Sequence, residues 1–231
     1  TVIEFLKLGA DVLFTARNEK DISALEAELK KDGYQVTGLV ADSAEAKDVQ
    51  KIKTWIEENW KSLDILVNNA GINIRKQANE YSEEEFRKVL EINLVAPFQI
   101  SRALHPFLKH SGKASIINVA SSAAIQDVGT GTPYAMSKSG LLQQSRSLAV
   151  EWAENGIRVN SVSPWFTKTP LTEAYLHNEE KMGSILKRTP LNRVAEADEI
   201  ASIITFLAMD KSSFVTGQNI VADGGMSINA L

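Results

Sequence analysis

Tyr134 and Lys138 stand four residues apart in a helical pattern that runs from Tyr134 to Asn155, so their side chains share one face. A phenol titrates near pH 10, and a cation beside it favours the phenolate, so such a pair can exchange a proton. The spacing alone decides little. With 4 Tyr and 17 Lys in 231 residues, about 0.3 such pairs arise by chance, and a tyrosine near a helix start with a solvated lysine would satisfy it. Ser121 changes the balance, because it lies thirteen residues before Tyr134, just past the apolar run Ala114–Val119.

The elements that would position these groups alternate regularly. Short segments rich in Val, Ile and Leu (Asp11–Thr15, Gln35–Val40, Ile65–Val67, Ala114–Val119, Arg158–Ser163 and Asn219–Ala222) read as buried strands. Between them lie helical patterns at Glu19–Lys31, Ala44–Trp60, Ser82–Lys109, Tyr134–Asn155 and Glu196–Met209. Alternation of this kind needs crossover connections, hence an α/β fold with one doubly wound, Rossmann-like parallel sheet over a single domain, residues 1–231. Ligands bind such a sheet beyond the carboxyl ends of its strands. The residues there are small and polar: Ala16-Arg17, Ala41-Asp42, Asn68-Asn-Ala-Gly71, Ala120-Ser-Ser122, Pro164-Trp165 and Asp223-Gly-Gly225. Thr1 to Gly9 reads as the later turns of a helix with no start signal, so a segment is expected upstream.

Composition closes off other classes. The chain has no Cys, which excludes disulfide scaffolds, thiol nucleophiles and Cys-ligated metal. His105, His110 and His177 lack the spacing of a helical zinc pair, and no metal is expected. A net charge of −4 argues against nucleic acid, and the apolar runs are too short to span a bilayer. The protein is expected to be cytoplasmic.

In order along the chain, Asn68-Asn-Ala-Gly71, Asn93 within Ile92-Asn-Leu94, Ser121, Tyr134-Ala-Met-Ser-Lys138, Arg158-Val-Asn160, Pro164 with Thr169, Val215-Thr-Gly217 and Asp223-Gly-Gly225 resemble the short-chain dehydrogenase/reductase family. Ile74-Arg-Lys76, His105-Pro-Phe-Leu-Lys109, Ala149-Val-Glu-Trp152, Pro164-Trp-Phe-Thr-Lys-Thr169 and Thr189-Pro-Leu191 are similar to its tropinone-reductase-like branch. Gluconate 5-dehydrogenase-like members share Thr132-Pro-Tyr134 and Lys187-Arg-Thr-Pro190.

The resemblance implies hydride transfer between NADP(H) and a ketone or secondary alcohol. Tyr134 would be the general acid/base, its phenol lowered by Lys138, and Ser121 would hydrogen-bond the substrate oxygen. Ser122, on the opposite side of the extended chain, is the competitor. Asn93 would anchor a water joining Lys138 to solvent; a satisfied core amide is its other reading. Cofactor contacts would come from Arg17, Asp42, Asn69, Ala70, Gly71, Tyr134, Lys138, Pro164, Thr167 and Thr169. Asp42 doubles as a cap for the helix from Ala44. Ala16 stands where an NAD-preferring member has an acid, and Arg17 follows, which implies NADP(H); pairing of Arg17 with Glu19 is the alternative. Trp165 replaces a common Gly and narrows the pocket.

The family's first strand and glycine-rich loop would precede Thr1, about 20 residues in all. A chain without them would lack a pyrophosphate cradle and bind dinucleotide poorly. Residues 165–188 are expected to form a substrate lid. Apolar positions on the helix from Tyr134 (Leu141, Leu142, Leu148, Val150, Trp152) exceed one sheet-facing stripe, which implies a homotetramer. A gluconate 5-dehydrogenase-like keto-sugar reductase and a non-catalytic nucleotide-binding member are the alternatives.

Overall fold

Strands β1 (Val12–Ala16), β2 (Val36–Val40), β3 (Ile65–Asn68), β4 (Ser115–Val119), β5 (Arg158–Pro164) and β6 (Asn219–Ala222) form at the six apolar runs. The computed structural model describes residues 1–229; positions 230 and 231 of the expected domain lie outside the described residues. All pairings are parallel, as helical crossovers require. The helices are α1 (Val2–Lys7), α2 (Glu19–Lys31), α3 (Ala46–Asn59), α4 (Glu83–Leu90), α5 (Ala96–Ser111), α6 (Thr132–Glu151), α7 (Glu173–Leu176), α8 (Glu179–Arg188) and α9 (Ala197–Ala208). No helix among the described residues is long and apolar enough to cross a membrane.

The parallel sheet of the expected α/β fold forms in two hydrogen-bonded pieces. It consists of a pair, β1-β2, and a four-stranded piece, β3-β4-β5-β6. Val12 of β1 and Ile65 and Val67 of β3 nevertheless pack against one core cluster with Phe5, Ile117, Val162 and Ile204. Side-chain packing, rather than a hydrogen-bonded ladder, joins the two pieces. A second cluster on the other face gathers Ile52, Leu104, Leu108, Ile116, Leu148 and Val159, so β4 and β5 are covered on both sides.

Two helices depart from their sequence patterns. The span from Ser82 is interrupted by a π-turn over Glu91–Val95, which carries Asn93 inward between α4 and α5. α6 begins at Thr132 because Pro133 suits the first helical turn, and a short 3₁₀ turn follows it to Asn155. Gly156 ends that turn at φ 72°, where a Cβ would lie 2.1 Å from the Gly112 carbonyl oxygen, so close chain approach as well as backbone conformation requires glycine. α6 also corrects the surplus of apolar residues. Leu141, Leu142, Leu148 and Trp152 are buried within the subunit, and of the five only Val150 is exposed.

Besides their apolar packing, α5 and α6 are joined to the strands by a buried polar chain. The Asn68 amide donates to Asn118 Oδ1 at 2.8 Å and to Ser101 Oγ at 3.2 Å. Asn118 Nδ2 donates to Ser145 Oγ at 2.8 Å, and Ser161 Oγ lies 2.7 Å from the same hydroxyl. Every member is buried, so each bond lost strands a desolvated partner. Replacing Asn118 by Leu removes an acceptor from Asn68 and a donor from Ser145. Urea unfolding of Asn118→Leu is expected to give a loss of roughly 2–4 kcal/mol; a change within 0.5 kcal/mol would mean that the chain contributes nothing.

Candidate active site

A cleft of about 830 Å³ opens beyond the carboxyl ends of β1 to β5. Of the residues singled out in the sequence, Arg17, Asp42, Asn69, Ala70, Gly71, Ser121, Tyr134, Lys138, Pro164, Thr167 and Thr169 line it. Asn93 does not. It is fully buried, accepts from Ile72 N and donates to Ile72 O, both at 2.9 Å, and donates to Ser137 Oγ at 3.1 Å. Its amide clamps the loop after β3 to α6, and one lone pair of Oδ1 is left beside Gly71. A Cβ on Gly71 would stand 3.3 Å from that oxygen and 3.5 Å from Lys138 Nζ, so any side chain there would crowd both.

Ser121 and Ser122 part ways at the end of β4. Ser122 is buried and donates to the Pro164 carbonyl at 3.0 Å, which ties β4 to β5. Ser121 faces the cleft, caps the following 3₁₀ turn through Ala123 N and stands beside the Tyr134 phenol, which its hydrogen bond tends to acidify. Asp42 does not cap a helix from Ala44. α3 starts two residues later, and Asp42 Oδ1 instead accepts from Ala44 N at 3.0 Å while Asp48 reaches back to Asp42 N. Arg17 is exposed, and none of the ion pairs among the described residues includes it, so it is not taken up by Glu19.

The electrostatics correct one expectation. Burial pushes the Tyr134 phenol above the usual tyrosine range, and this outweighs the lowering by the Ser121 hydrogen bond and by the positive charge of Arg75. Lys138 Nζ lies 5.8 Å from the Tyr134 ring centre and donates to the Val119 carbonyl at 2.8 Å. Burial brings its own pKa down to about 8. The arrangement keeps a neutral phenol and a poorly solvated ammonium at one cleft wall.

Segment 165–188 contains α7 and α8. Trp165 lies edge-on to Phe166 and donates from Nε1 to Thr189 Oγ1 at 3.1 Å, which fixes the indole against the end of α8. Asn73, Arg75, Tyr175 and Arg188 also line the cleft and were missed as site residues. Arg75 and Arg188 had a signal, their places in Ile74-Arg-Lys76 and Lys187-Arg-Thr-Pro190, and Tyr175 falls within the expected lid segment.

A family model described as Enoyl-(Acyl carrier protein) reductase matches residues 1–227. A tropinone reductase homolog of Arabidopsis thaliana is 39% identical over 229 residues, 99% of this chain and 87% of that protein. Senescence-associated protein 13 of the same plant is 38% identical, over 99% of this chain and 85% of its own length. Among solved structures, a gluconate 5-dehydrogenase from Burkholderia cenocepacia in complex with NADP and tartrate superposes with a TM-score of 0.92 at 28% identity, covering 97% of this chain and 88% of that one.

The buried ammonium gives a stability test. An unfolded lysine titrates near 10.5 and folded Lys138 near 8. Below pH 8 both states are charged and the fold carries the full cost, about 3 kcal/mol. Between pH 8 and 10.5 the unfolded state binds more protons, so stability rises with pH. Lys138→Met is expected to be more stable at pH 7 by roughly 2 kcal/mol, after about 1 kcal/mol is lost at the Val119 carbonyl, with the advantage gone by pH 10.5. Urea unfolding at both pH values checks this; a Met variant less stable at pH 7 would contradict it.

Proposed function

The chain belongs to the short-chain dehydrogenase/reductase family of oxidoreductases, and we propose that it is an NADP(H)-dependent carbonyl reductase, interconverting a ketone and a secondary alcohol. The observation that carries this reading is the meeting of Ser121, Tyr134 and Lys138 at one wall of a cleft that the glycine and small residues after β3 also line. A non-catalytic nucleotide binder has no need of all three.

The residues lining the cleft suit the adenosine and nicotinamide ends of a dinucleotide. Gly71 leaves backbone exposed between Asn93 and Lys138, and Arg17 holds an unpaired guanidinium at the end of β1. Arg17 would hold the 2′-phosphate, Asp42 the adenine side, Asn69 to Gly71 the ribose, and Pro164, Thr167 and Thr169 the nicotinamide end. When bound, NADP(H) supplies or accepts the hydride. The protein's part is to manage the proton. As the ketone oxygen gains charge, Ser121 donates a hydrogen bond to it and Tyr134 gives up its phenolic proton. Burial suits this acid role, since it keeps Tyr134 protonated at neutral pH. Lys138 has three N–H groups and uses one on Val119, which leaves two for a ligand. Asn93 holds the Gly71–Ile72 loop against Lys138 and offers its last lone pair to a relay water.

The gluconate 5-dehydrogenase-like alternative, a keto-sugar reductase, draws its support from the 28% identical structure noted above. The reading includes a cytoplasmic homotetramer. Phe98 on α5 at 39% exposure and Val150 on α6 at 81% leave apolar surface on the two long helices for a second copy. Residues 165–188 act in it as the substrate lid.

Tyr134→Phe is expected to remove turnover with little change in NADPH affinity, because the ring still packs while the proton is gone. Retention of more than about a tenth of the wild-type rate, a barrier change under 1.4 kcal/mol, would assign the acid elsewhere. Arg17→Ala is expected to raise the KM for NADPH far more than for NADH, by roughly 1.5–3 kcal/mol if one charged hydrogen bond is lost. Equal effects on both cofactors, measured by steady-state kinetics, would show that Arg17 does not read the phosphate.

A further inference from the structure

A second tyrosine meets the start of α6, and the proton chemistry above gives it no role. Tyr81 follows the 3₁₀ turn Ala78–Glu80, directly before the Ser82 cap of α4, and is half-buried. Its hydroxyl donates to the Ile74 carbonyl and accepts from Lys76 N at 3.3 Å. These two partners flank Arg75, so one phenolic oxygen closes the loop on either side of that residue. The Lys76 ammonium pairs in turn with Glu85 of α4 at 2.5 Å, which holds the loop to the helix that follows Tyr81.

The same oxygen abuts α6. Gly131 is the residue before the helix, at φ 103°, and its carbonyl receives the Ala135 N–H of the first turn. A Cβ on Gly131 would run into the Tyr81 hydroxyl and stand 3.2 Å from the Ile74 carbonyl oxygen. Backbone conformation and the space taken by the phenol both call for glycine there. One residue earlier, Thr130 Oγ1 accepts from Asn73 Nδ2 at 2.6 Å, so two adjacent contacts join the loop after β3 to the approach to α6. Tyr134 is the third residue of that helix. Another anchor of its turn is Ser137, whose hydroxyl donates to the Tyr134 carbonyl at 2.7 Å and accepts from buried Asn93. A group on a first turn moves with the residue that starts the turn, and a misplacement of about 1 Å can cost roughly 100-fold in rate.

We infer that Tyr81 is a positioning residue for the proton transfer, its hydroxyl setting Arg75 and the Gly131 start of α6 and, through them, the place of the Tyr134 phenol. This rests on the carbonyl reductase reading, in which Tyr134 is the acid. Tyr81 does not line the cleft and acts only through those neighbours. The charge of Arg75 already acts on the Tyr134 phenol, against the effect of burial, so the grip on the loop has an electrostatic route as well as a geometric one.

Tyr81→Phe deletes the hydroxyl and keeps the ring. It is assayed in the full-length protein with NADPH and whichever of cyclohexanone, 4-methylcyclohexanone and 5-ketogluconate wild type reduces fastest. kcat is expected to fall roughly 10- to 100-fold with the KM for NADPH nearly unchanged. Gly131→Ala is expected to lower kcat as well, and in the double variant the two losses do not multiply, because the hydroxyl that the new methyl would strike is gone. NMR of Cζ-labelled tyrosine, with Tyr134→Phe assigning the signal, supplies a readout independent of turnover. The Tyr134 midpoint is expected to move to higher pH in Tyr81→Phe, since a cation less firmly placed favours the phenolate less. A general loss of stability would move neither kcat nor that midpoint in the folded protein. Wild-type kcat and an unmoved midpoint in Tyr81→Phe, or losses that multiply in the double variant, would overturn the inference. A Tyr134 midpoint that moves in a protein reducing none of the three ketones would sink the reductase reading and leave the positioning of Tyr134 standing.

Discussion

Everything in the cleft depends on how α6 is seated, because α6 carries a buried ammonium into the protein with one carbonyl for a partner. Lys138 is 4% exposed, and its contact to Val119 fixes the helix start on the end of β4. About 10.5 Å further along the axis, roughly two helical turns, Ser145 binds Asn118 and Ser161 and fixes the helix middle on β4 and β5. Leu141, Leu142 and Leu148 supply the energy. Each is 5% exposed or less, and full burial of such a side chain is worth about 1.5–3 kcal/mol. Even as an upper bound, since unfolded chains hide some apolar surface, three leucines outweigh the cost of one strained ammonium. A one-residue slip of α6 would turn Tyr134 and Lys138 by about 100° and break both sets of bonds.

The π-turn at Glu91–Val95 belongs to the same constraint. By widening the helix there it carries Asn93 inward to clamp Ile72 and touch Ser137 of α6. The loop that must stay bare at Gly71 is thereby held next to the ammonium, so three chain segments separated in sequence share one rigid corner. On the opposite side, Trp165 braces α8 through Thr189, and α7 and α8 bring aromatic and cationic groups over the cleft. One wall handles the proton and the other meets the substrate.

Much of this was legible in the sequence, for identifiable reasons. Strands buried on both faces read as unbroken Val and Ile runs, and all six formed within two residues of their expected ends. Tyr134, Lys138 and Ser121 could be grouped because a helix period and a strand end fix their positions. The buried chain of Asn68, Ser101, Asn118, Ser145 and Ser161 could not, since its members come from five elements and each alone resembles a surface residue. Ile74, Tyr81 and Gly131 meet for the same tertiary reason. The break between β1-β2 and the other four strands was not anticipated, because periodicity identifies strands but not their neighbours. The sign of the Tyr134 shift was missed because charge was weighed and desolvation was not.

The central claim is physical: that α6 holds Lys138 as an ammonium deprived of water, at the wall where Tyr134 keeps its proton. Heteronuclear NMR titration of the Lys138 side chain in the ligand-free protein tests it most directly. The account requires a midpoint near 8. A midpoint at the ordinary lysine value of about 10.5 would mean that the ammonium is solvated, and the role assigned to the seating of α6 would fall with it.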